Sequence, residues 1–456
     1  MSSEESELGT IIGPRKILRF ALPSIVMMVF ISSYSMVDGL FVSNWIGSNA
    51  FAALNLTMPA FNIFGAIGFM FATGGSAYVA TLLGRKKVAE ANSAFTQIIL
   101  ASFILALLIT ALGFVFADEF VHALGADSVL APMTLEYWNI LVLFVPFIMM
   151  QFIALQFLIV IGRPQMALAA SVIDGSLNIF LDWIFIDMFH WGLGGAAFAS
   201  GIGSVVAVVI AFSVLCSKRS NLKFVRHCMI TAKVIVPTCT NGVSEMATNL
   251  AAAVTSFLFN LMMMKYAGAD GVAAISIILY VEFLAVAVTV GYSTGVAPVM
   301  SYHNGAGDDV HKRELFRFSM KFVCAFALAV FIVMEIFAGT IVGFFVSGSS
   351  DVGQMATEGT RIHSLAFLLM GVNDYASALF TSLSNGLVSA VISGVSSFII
   401  LAPMIVTLPT LFGIHAIWFA VPLTEFISVF VTIQYFLRLG PKYGFLKRKN
   451  PTVPDM

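Results

Sequence analysis

Ile46-Gly-Ser-Asn-Ala-Phe-Ala-Ala53 returns 221 residues downstream as Ala267-Gly-Ala-Asp-Gly-Val-Ala-Ala274, and that recurrence decides how the chain is built. At the same offset Gly47, Ala52, Ala53, Thr73, Gly84 and Phe95 meet identical residues at Gly268, Ala273, Ala274, Thr294, Gly305 and Phe316. Gly192, Phe198 and Ala199 fall on Gly413, Phe419 and Ala420, so the match extends from the beginning of each half to its end. Small residues coincide easily in apolar sequence. One constant offset along both halves does not arise that way, and it divides the chain into two copies of one unit.

What the unit is made of follows from composition. Of the 456 residues 59% are hydrophobic and only 10% charged, against the roughly 25% charge of a soluble domain. Forty-three Phe and 23 Met, with a mean hydropathy of +0.97, describe surfaces that meet lipid or a soft apolar cavity. A net charge of −1 with dispersed basic residues leaves no nucleic-acid surface. Cys216, Cys228, Cys239 and Cys324 have no CxxC spacing, so neither a zinc site nor a disulfide framework is indicated. Met1 to Thr10 is acidic and polar, unlike a cleaved signal peptide, and the first apolar run is expected to be a true span.

A bilayer core of about 30 Å takes about 20 apolar residues per helix, and backbone groups in lipid must be satisfied within the segment. Twelve stretches qualify, at about 16–43, 52–83, 92–117, 132–160, 165–186, 193–216, 234–264, 272–301, 315–345, 354–384, 388–410 and 414–437. Of the 23 Lys and Arg, 21 fall on one side of this arrangement, and only Lys265 and Arg361 fall on the other. The positive-inside rule then places both termini in the cytoplasm, which an even number of spans requires. Because six spans separate the copies, both have the same orientation, and the axis relating them runs along the membrane normal. The expected organisation is an N-lobe at 1–217, a basic cytoplasmic linker at 218–233 and a C-lobe at 234–456. The fold class is thus an all-α membrane protein, twelve transmembrane helices in two six-helix bundles.

Several short strings carry a family resemblance. Val37-Asp38-Gly39-Leu40-Phe41-Val42, the Gly47 to Ala53 loop, Ile161-Gly162-Arg163-Pro164, Asn178-Ile-Phe-Leu-Asp182 and Gly192-Leu-Gly-Gly-Ala-Ala197, in this order and with the repeat, resemble the multidrug and toxic compound extrusion (MATE) family over essentially the whole chain. The resemblance implies two bundles forming a V, alternating access, and export of substrate against inward H⁺ or Na⁺.

Eight acids fall within or near the spans: Asp38, Asp174, Asp182, Glu245, Glu282, Glu335, Asp374 and Glu425. An ionised carboxylate in hydrocarbon costs several kcal/mol, so each is a functional candidate, and with almost no Lys or Arg at depth they must be protonated, bind a cation or face water. Asp174, Asn178 and Asp182 recur at i, i+4 and i+8, one stripe of a helix. Asn178 and Asp182 offer the hard oxygens that suit Na⁺ or hydronium-like exchange. Asp38 stands one turn after Tyr34, and Pro23 can kink the same helix. The resemblance implies that Pro23 as hinge, with Asp38, Asn178, Asp182 and the hydroxyl of Ser200, forms the cation site of the N-lobe. Asp38, Asn178 and Asp182 would be the metal ligands if Na⁺ is the coupling ion. Glu245, eight residues after Pro237, and Asp374, twelve before Gly386, are spaced like the seventh- and tenth-helix acids of the sodium-linked branch. Met370 stands where that branch has a tyrosine. Tyr34, Asp174, Glu245 and Asp374 are therefore candidates for substrate or for a second cation. Glu282 and Glu425 read as cavity-lining or helix-bridging groups, and His363 and His415 as isolated residues near span ends.

The expected function is a monomeric antiporter of the inner (plasma) membrane, exporting small, lipophilic cationic compounds in exchange for H⁺ or Na⁺ without any cofactor. The rival from the same superfamily is a lipid-linked saccharide flippase, which should carry deep Arg or Lys for pyrophosphate. An enzyme is disfavoured because no HExxH, GxSxG or metal-ligand cluster appears. A channel is disfavoured because the internal repeat already makes a two-lobed alternating-access unit.

Overall fold

The computed structural model describes residues 7–46, 48–124, 126, 128–218, 220–346 and 350–446, without the side chains of 35–44, 48, 49 and 51. Among the described residues twelve long helices cross it. They are α1 (Pro14–Trp45), α2 (Ser48–Gly84), α3 (Val88–Val115), α4 (Ala131–Val160), α5 (Pro164–Met188) and α6 (Gly192–Leu215), then α7 (232–267) and α8 (269–306). After them come α9 (Asp309–Gly343), α10 (Asp351–Ser382), α11 (Gly386–Phe412) and α12 (Ile414–Tyr443). All but α10 are long and apolar enough to span by composition alone, with α7 and α8 running together as one stretch. Among the described residues there is no strand. The sequence-derived spans stand, each within a few residues of the observed helix. Several of the helix boundaries carry a glycine with positive φ. Gly268 (φ 64°) separates α7 from α8. Gly192 (φ 60°) and its repeat mate Gly413 (φ 84°) open the last helix of each bundle, a backbone region costly for any residue with a Cβ.

Packing gives the molecule its shape. One apolar core is shared by both bundles and lies toward the face bearing the basic loops, here the basic face. It takes in Ile17 to Met27 of α1, Met70 to Leu83 of α2, Tyr292 to Met300 of α8 and Tyr375 to Leu383 of α10. Toward the opposite face the core divides. Residues between Ala50 and Ala197 form one cluster and residues between Phe259 and Val421 another, each confined to its own bundle. The bundles are therefore joined at the basic face and parted at the other, a V open away from the basic face.

Glycines make the seam. A Cβ on Gly84 would lie 2.0 Å from the Tyr302 carbonyl oxygen, and one on Gly305 would lie 2.1 Å from the Thr81 carbonyl oxygen. Gly305 is the repeat mate of Gly84, and Tyr302 that of Thr81, so the two contacts exchange under the repeat. The pattern recurs half-way along the helices, where Gly74 meets Gly242 while its mate Gly295 meets Ala21, the mate of Gly242. Such reciprocity is what a two-fold axis between the bundles demands. The hydroxyl of Thr81 also donates to the Ser301 carbonyl across the seam (3.3 Å).

The segment between α6 and α7 follows α3 closely. Asn92 Oδ1 accepts from the Lys223 amide (2.9 Å), Thr96 Oγ1 from the Val225 amide (3.0 Å), and Gln97 Oε1 from both the amide and the hydroxyl of Thr231 (2.9 and 2.8 Å). Three side chains of one helix face thus supply the backbone bonds that an extended segment cannot make for itself.

Candidate functional site

In the N-terminal bundle the stripe on α5 is buried as its spacing requires. Asp174, Asn178 and Asp182 are 4%, 3% and 0% exposed. The helix can bring them inward because Gly175, between Asp174 and Asn178, lets α1 approach. A Cβ there would come within 2.7 Å of the rings of Phe30 and Tyr34. Tyr34 therefore lies against α5, about one turn from Asn178. From the other side α6 supplies Ser200 and Gly203, one turn apart. Asn178 Nδ2 donates to Ser200 Oγ (3.0 Å), leaving Asn178 Oδ1 buried with no hydrogen-bond partner. Asp174 accepts from Gln151 Nε2 (2.6 Å) through Oδ2, while Oδ1 occupies the space that a side chain on Gly203 would fill.

Buried carbonyl oxygens are nearly always satisfied, so the orphaned Asn178 Oδ1 identifies a place for a donor or a small hard cation. Ser200 Oγ lies on the same amide through its Nδ2, and Asp182 follows one turn further along the stripe of α5. Asp38 lies on α1 one turn beyond Tyr34, and its side chain is outside the described part, as is Gly47. Pro23 is buried inside an unbroken α1, and the next residues, Ser24 and Ile25, form the seam against Gly291. The candidate hinge therefore sits at the joint between the bundles, about four turns from Asp38.

The acids of the C-terminal bundle gather more closely than their separation in sequence suggests. Asp374 lies within electrostatic reach of Glu245 and Glu282, and Glu425 within reach of Asp374 and Glu282, so α7, α8, α10 and α12 each contribute one carboxylate. Asp374 borders a small apolar pocket with Thr289, Phe326, Phe367 and Met370, and its Oδ2 is buried without a hydrogen-bond partner. Glu425 bridges helices. Asn373 Nδ2 donates to its Oε2 (2.6 Å), and Thr432 Oγ1 donates to Asn373 Oδ1 (2.7 Å).

One expectation from sequence is corrected here. His363 is buried, and its Nε2 lies 2.9 Å from Glu282 Oε2, so it is a partner of a membrane acid and not an isolated residue. His415 likewise meets Glu358 at 3.2 Å, at the surface. The reason is registry between helices: 81 residues separate His363 from Glu282, and no local spacing encodes which faces of α8 and α10 meet. Glu335 is similarly engaged, accepting from the Ser364 hydroxyl (2.9 Å). Among the described residues no Lys or Arg is ion-paired with Asp174, Glu245, Glu282, Asp374 or Glu425.

Comparison with known proteins agrees with this architecture. The chain is 24% identical over 427 residues to "Multidrug export protein MepA" of Staphylococcus haemolyticus, covering 93% of this chain and 94% of that protein. Its fold matches a crystal structure of a MATE protein in complex with MaL6 at a TM-score of 0.90 and 20% identity, covering 98% and 100% of the two chains. It matches the outward-facing conformation of a multidrug resistance MATE family transporter of the MOP superfamily at 0.89 and 20% identity, covering 96% and 99%. The sequence profile of the MatE family matches twice, over residues 23–184 and 246–407, one match in each bundle. With two repeated six-helix bundles, each matched by that profile, this chain belongs to the MatE family of multidrug and toxic compound extrusion transporters.

Proposed function

We propose that this transporter is a secondary antiporter, exporting small, lipophilic cationic compounds in exchange for inward H⁺ or Na⁺. It would act as a monomer in the inner membrane with both termini cytoplasmic, since the sequence puts 21 of its 23 Lys and Arg on one side of its spans. The observation that carries the reading is a set of membrane carboxylates in both bundles, Asp174 in one and Asp374 and Glu425 in the other, with no Lys or Arg ion-paired to them among the described residues, within a V that opens away from the basic face.

Entering from the open side, the coupling cation discharges the carboxylates of the N-terminal bundle, with Asp38, Asn178, Asp182 and Ser200 as its ligands. Two unit charges 4 Å apart interact by about 4 kcal/mol at an effective dielectric of 20. A bound cation therefore weakens the hold of the same cavity on a cationic substrate by orders of magnitude. Linked binding is reciprocal, so the substrate favours release of the cation. Tyr34 and Asp174, with Glu245 and Asp374 across the V, would meet the substrate or a second cation, and α1 would bend near Pro23 as the seam opens. The similarity to a protein named for multidrug export supports the direction of transport. The flippase reading loses ground, because Arg361 is exposed and lies in a surface groove with Glu358.

The test is dye efflux from proteoliposomes under separately imposed pH and Na⁺ gradients, comparing wild type with Asp38→Asn and Asp182→Asn. Loss of gradient-driven efflux in these variants is expected. Unchanged efflux in both removes coupling by the N-terminal bundle, and Glu245→Gln with Asp374→Asn asks the same of the other. Single-channel currents at any imposed potential would speak instead for a channel.

A further inference from the structure

At the basic face, the turn from α8 into α9 gathers two histidines around one carboxylate. Gly307, left-handed at φ 70°, reverses the chain so that Asp308 returns toward the end of α8. Asp308 caps α9 by accepting from the His311 amide through Oδ1 (3.1 Å). Its Oδ2 lies 3.3 Å from His303 Nδ1 and in hydrogen-bond contact with His311 Nδ1. One ligand atom from each of the three residues falls within 4.8 Å of the others.

We propose that His303, Asp308 and His311 form a binding site for a divalent transition-metal ion such as Zn²⁺ or Co²⁺. The decisive side chain is His303. It is only 3% exposed, its Nδ1 faces the Asp308 carboxylate at 3.3 Å outside hydrogen-bond geometry, and its Nε2 has no hydrogen-bond partner, whereas a buried imidazole normally satisfies its nitrogens. Tetrahedral zinc with bonds of about 2.0–2.2 Å sets its ligands about 3.3 Å apart, which is the His303 to Asp308 spacing, while the His311 bond to Asp308 would open to admit the ion. The nearest base, Lys312, is turned away onto Asp309 (3.0 Å) and the Tyr443 carbonyl (2.6 Å). Two imidazoles and a carboxylate suit zinc-like ions better than Mg²⁺ or Ca²⁺, which take oxygen shells.

The repeat shows that the turn does not need these residues for folding. Subtracting 221 puts Leu82, Lys87 and Glu90 at the positions of His303, Asp308 and His311, and there Lys87 and Glu90 form an ordinary surface ion pair (2.9 Å). Only the second copy carries imidazoles. Gly305, inside the cluster's span, is the residue packed on Thr81 across the seam, so a bound ion would stiffen the helix end that holds the V shut.

The full chain, purified in detergent through a tag without histidine, is titrated with Co²⁺ by visible absorption and with Zn²⁺ by calorimetry. One equivalent should bind, with about tenfold or greater loss of affinity in His311→Ala and in Asp308→Asn. A combined His122→Ala, His227→Ala and His415→Ala variant should bind as wild type does. Zn²⁺ should also raise the melting midpoint of the wild type and not that of His311→Ala, a surface-side change that avoids disturbing buried His303. Absence of saturable binding below 1 mM would overturn the site, as would unchanged affinity in His311→Ala and Asp308→Asn.

Discussion

The glycine seam lends itself to direct perturbation. A methyl group on Gly84 would sit 2.0 Å from the Tyr302 carbonyl oxygen, where ordinary contact begins near 3.4 Å, so the helices must part there by about 1.4 Å. Both sides of the contact are backbone, and no rotamer change can absorb the shift. Overpacking of this kind costs about 1–3 kcal/mol, or about 5- to 150-fold in a two-state equilibrium. The two apolar cores toward the opposite face lie wholly within their own bundles, so the strain is relieved by opening the seam, not by unfolding a lobe. Nitroxides on Lys87 and Val310, both exposed and on opposite sides of the seam, would report this by pulsed electron resonance in a cysteine-free background. Gly84→Ala and Gly305→Ala should each broaden the distance distribution and move it to longer values. Gly343→Ala, where an added methyl group meets nothing within 4 Å, should not. If the two seam variants gave the wild-type distribution, or if Gly343→Ala opened the face equally, the seam would not be what holds the bundles together.

Two further expectations concern side chains that stand in for missing backbone bonds or bury charge. Gln97→Ala removes the acceptor of two bonds to Thr231, so trypsin should cut at Arg226 or Lys233 several-fold faster than in wild type while other sites keep their rates. Asn373→Leu orphans both the Glu425 carboxylate and the Thr432 hydroxyl, at roughly 1–3 kcal/mol for each buried group. The melting midpoint in detergent should fall clearly, and Glu425→Gln, which keeps a hydrogen-bonding partner for Asn373, should cost less.

The distribution of Lys and Arg and the length of the apolar runs made the twelve helices legible in the sequence, since both respond to the bilayer and not to tertiary detail. The constant offset made the two-fold relation legible as well. Gly84 and Gly305 were visible as repeat mates but not as a seam, because glycine is frequent in membrane helices for many reasons. The stripe of Asp174, Asn178 and Asp182 was legible because helical spacing alone puts the three on one side. That Asn178 and Ser200 would share a site came only through the family resemblance, and the bond between them came from the structure. His363 beside Glu282, and Asn373 beneath Glu425, were hidden. Each pair joins different helices, and which faces meet is fixed by packing that no single helix records. The histidine cluster at the α8 to α9 turn escaped notice for a related reason, since its residues become neighbours only when Gly307 reverses the chain.

A contact in which one residue meets a second while their duplicates meet in turn is the mark of an isologous dimer, two identical subunits facing across an axis. Gly84 with Tyr302 and Gly305 with Thr81 still obey that rule within a single polypeptide, as they would in a homodimer later fused end to end. The ionisable groups do not obey it. Position by position, Asp38 is answered by Phe259 and Asp182 by Pro403. The joint obeys the two-fold symmetry while the chemistry of the two halves does not, so a substitution at the joint has a twin in the other half, and one among the acids does not.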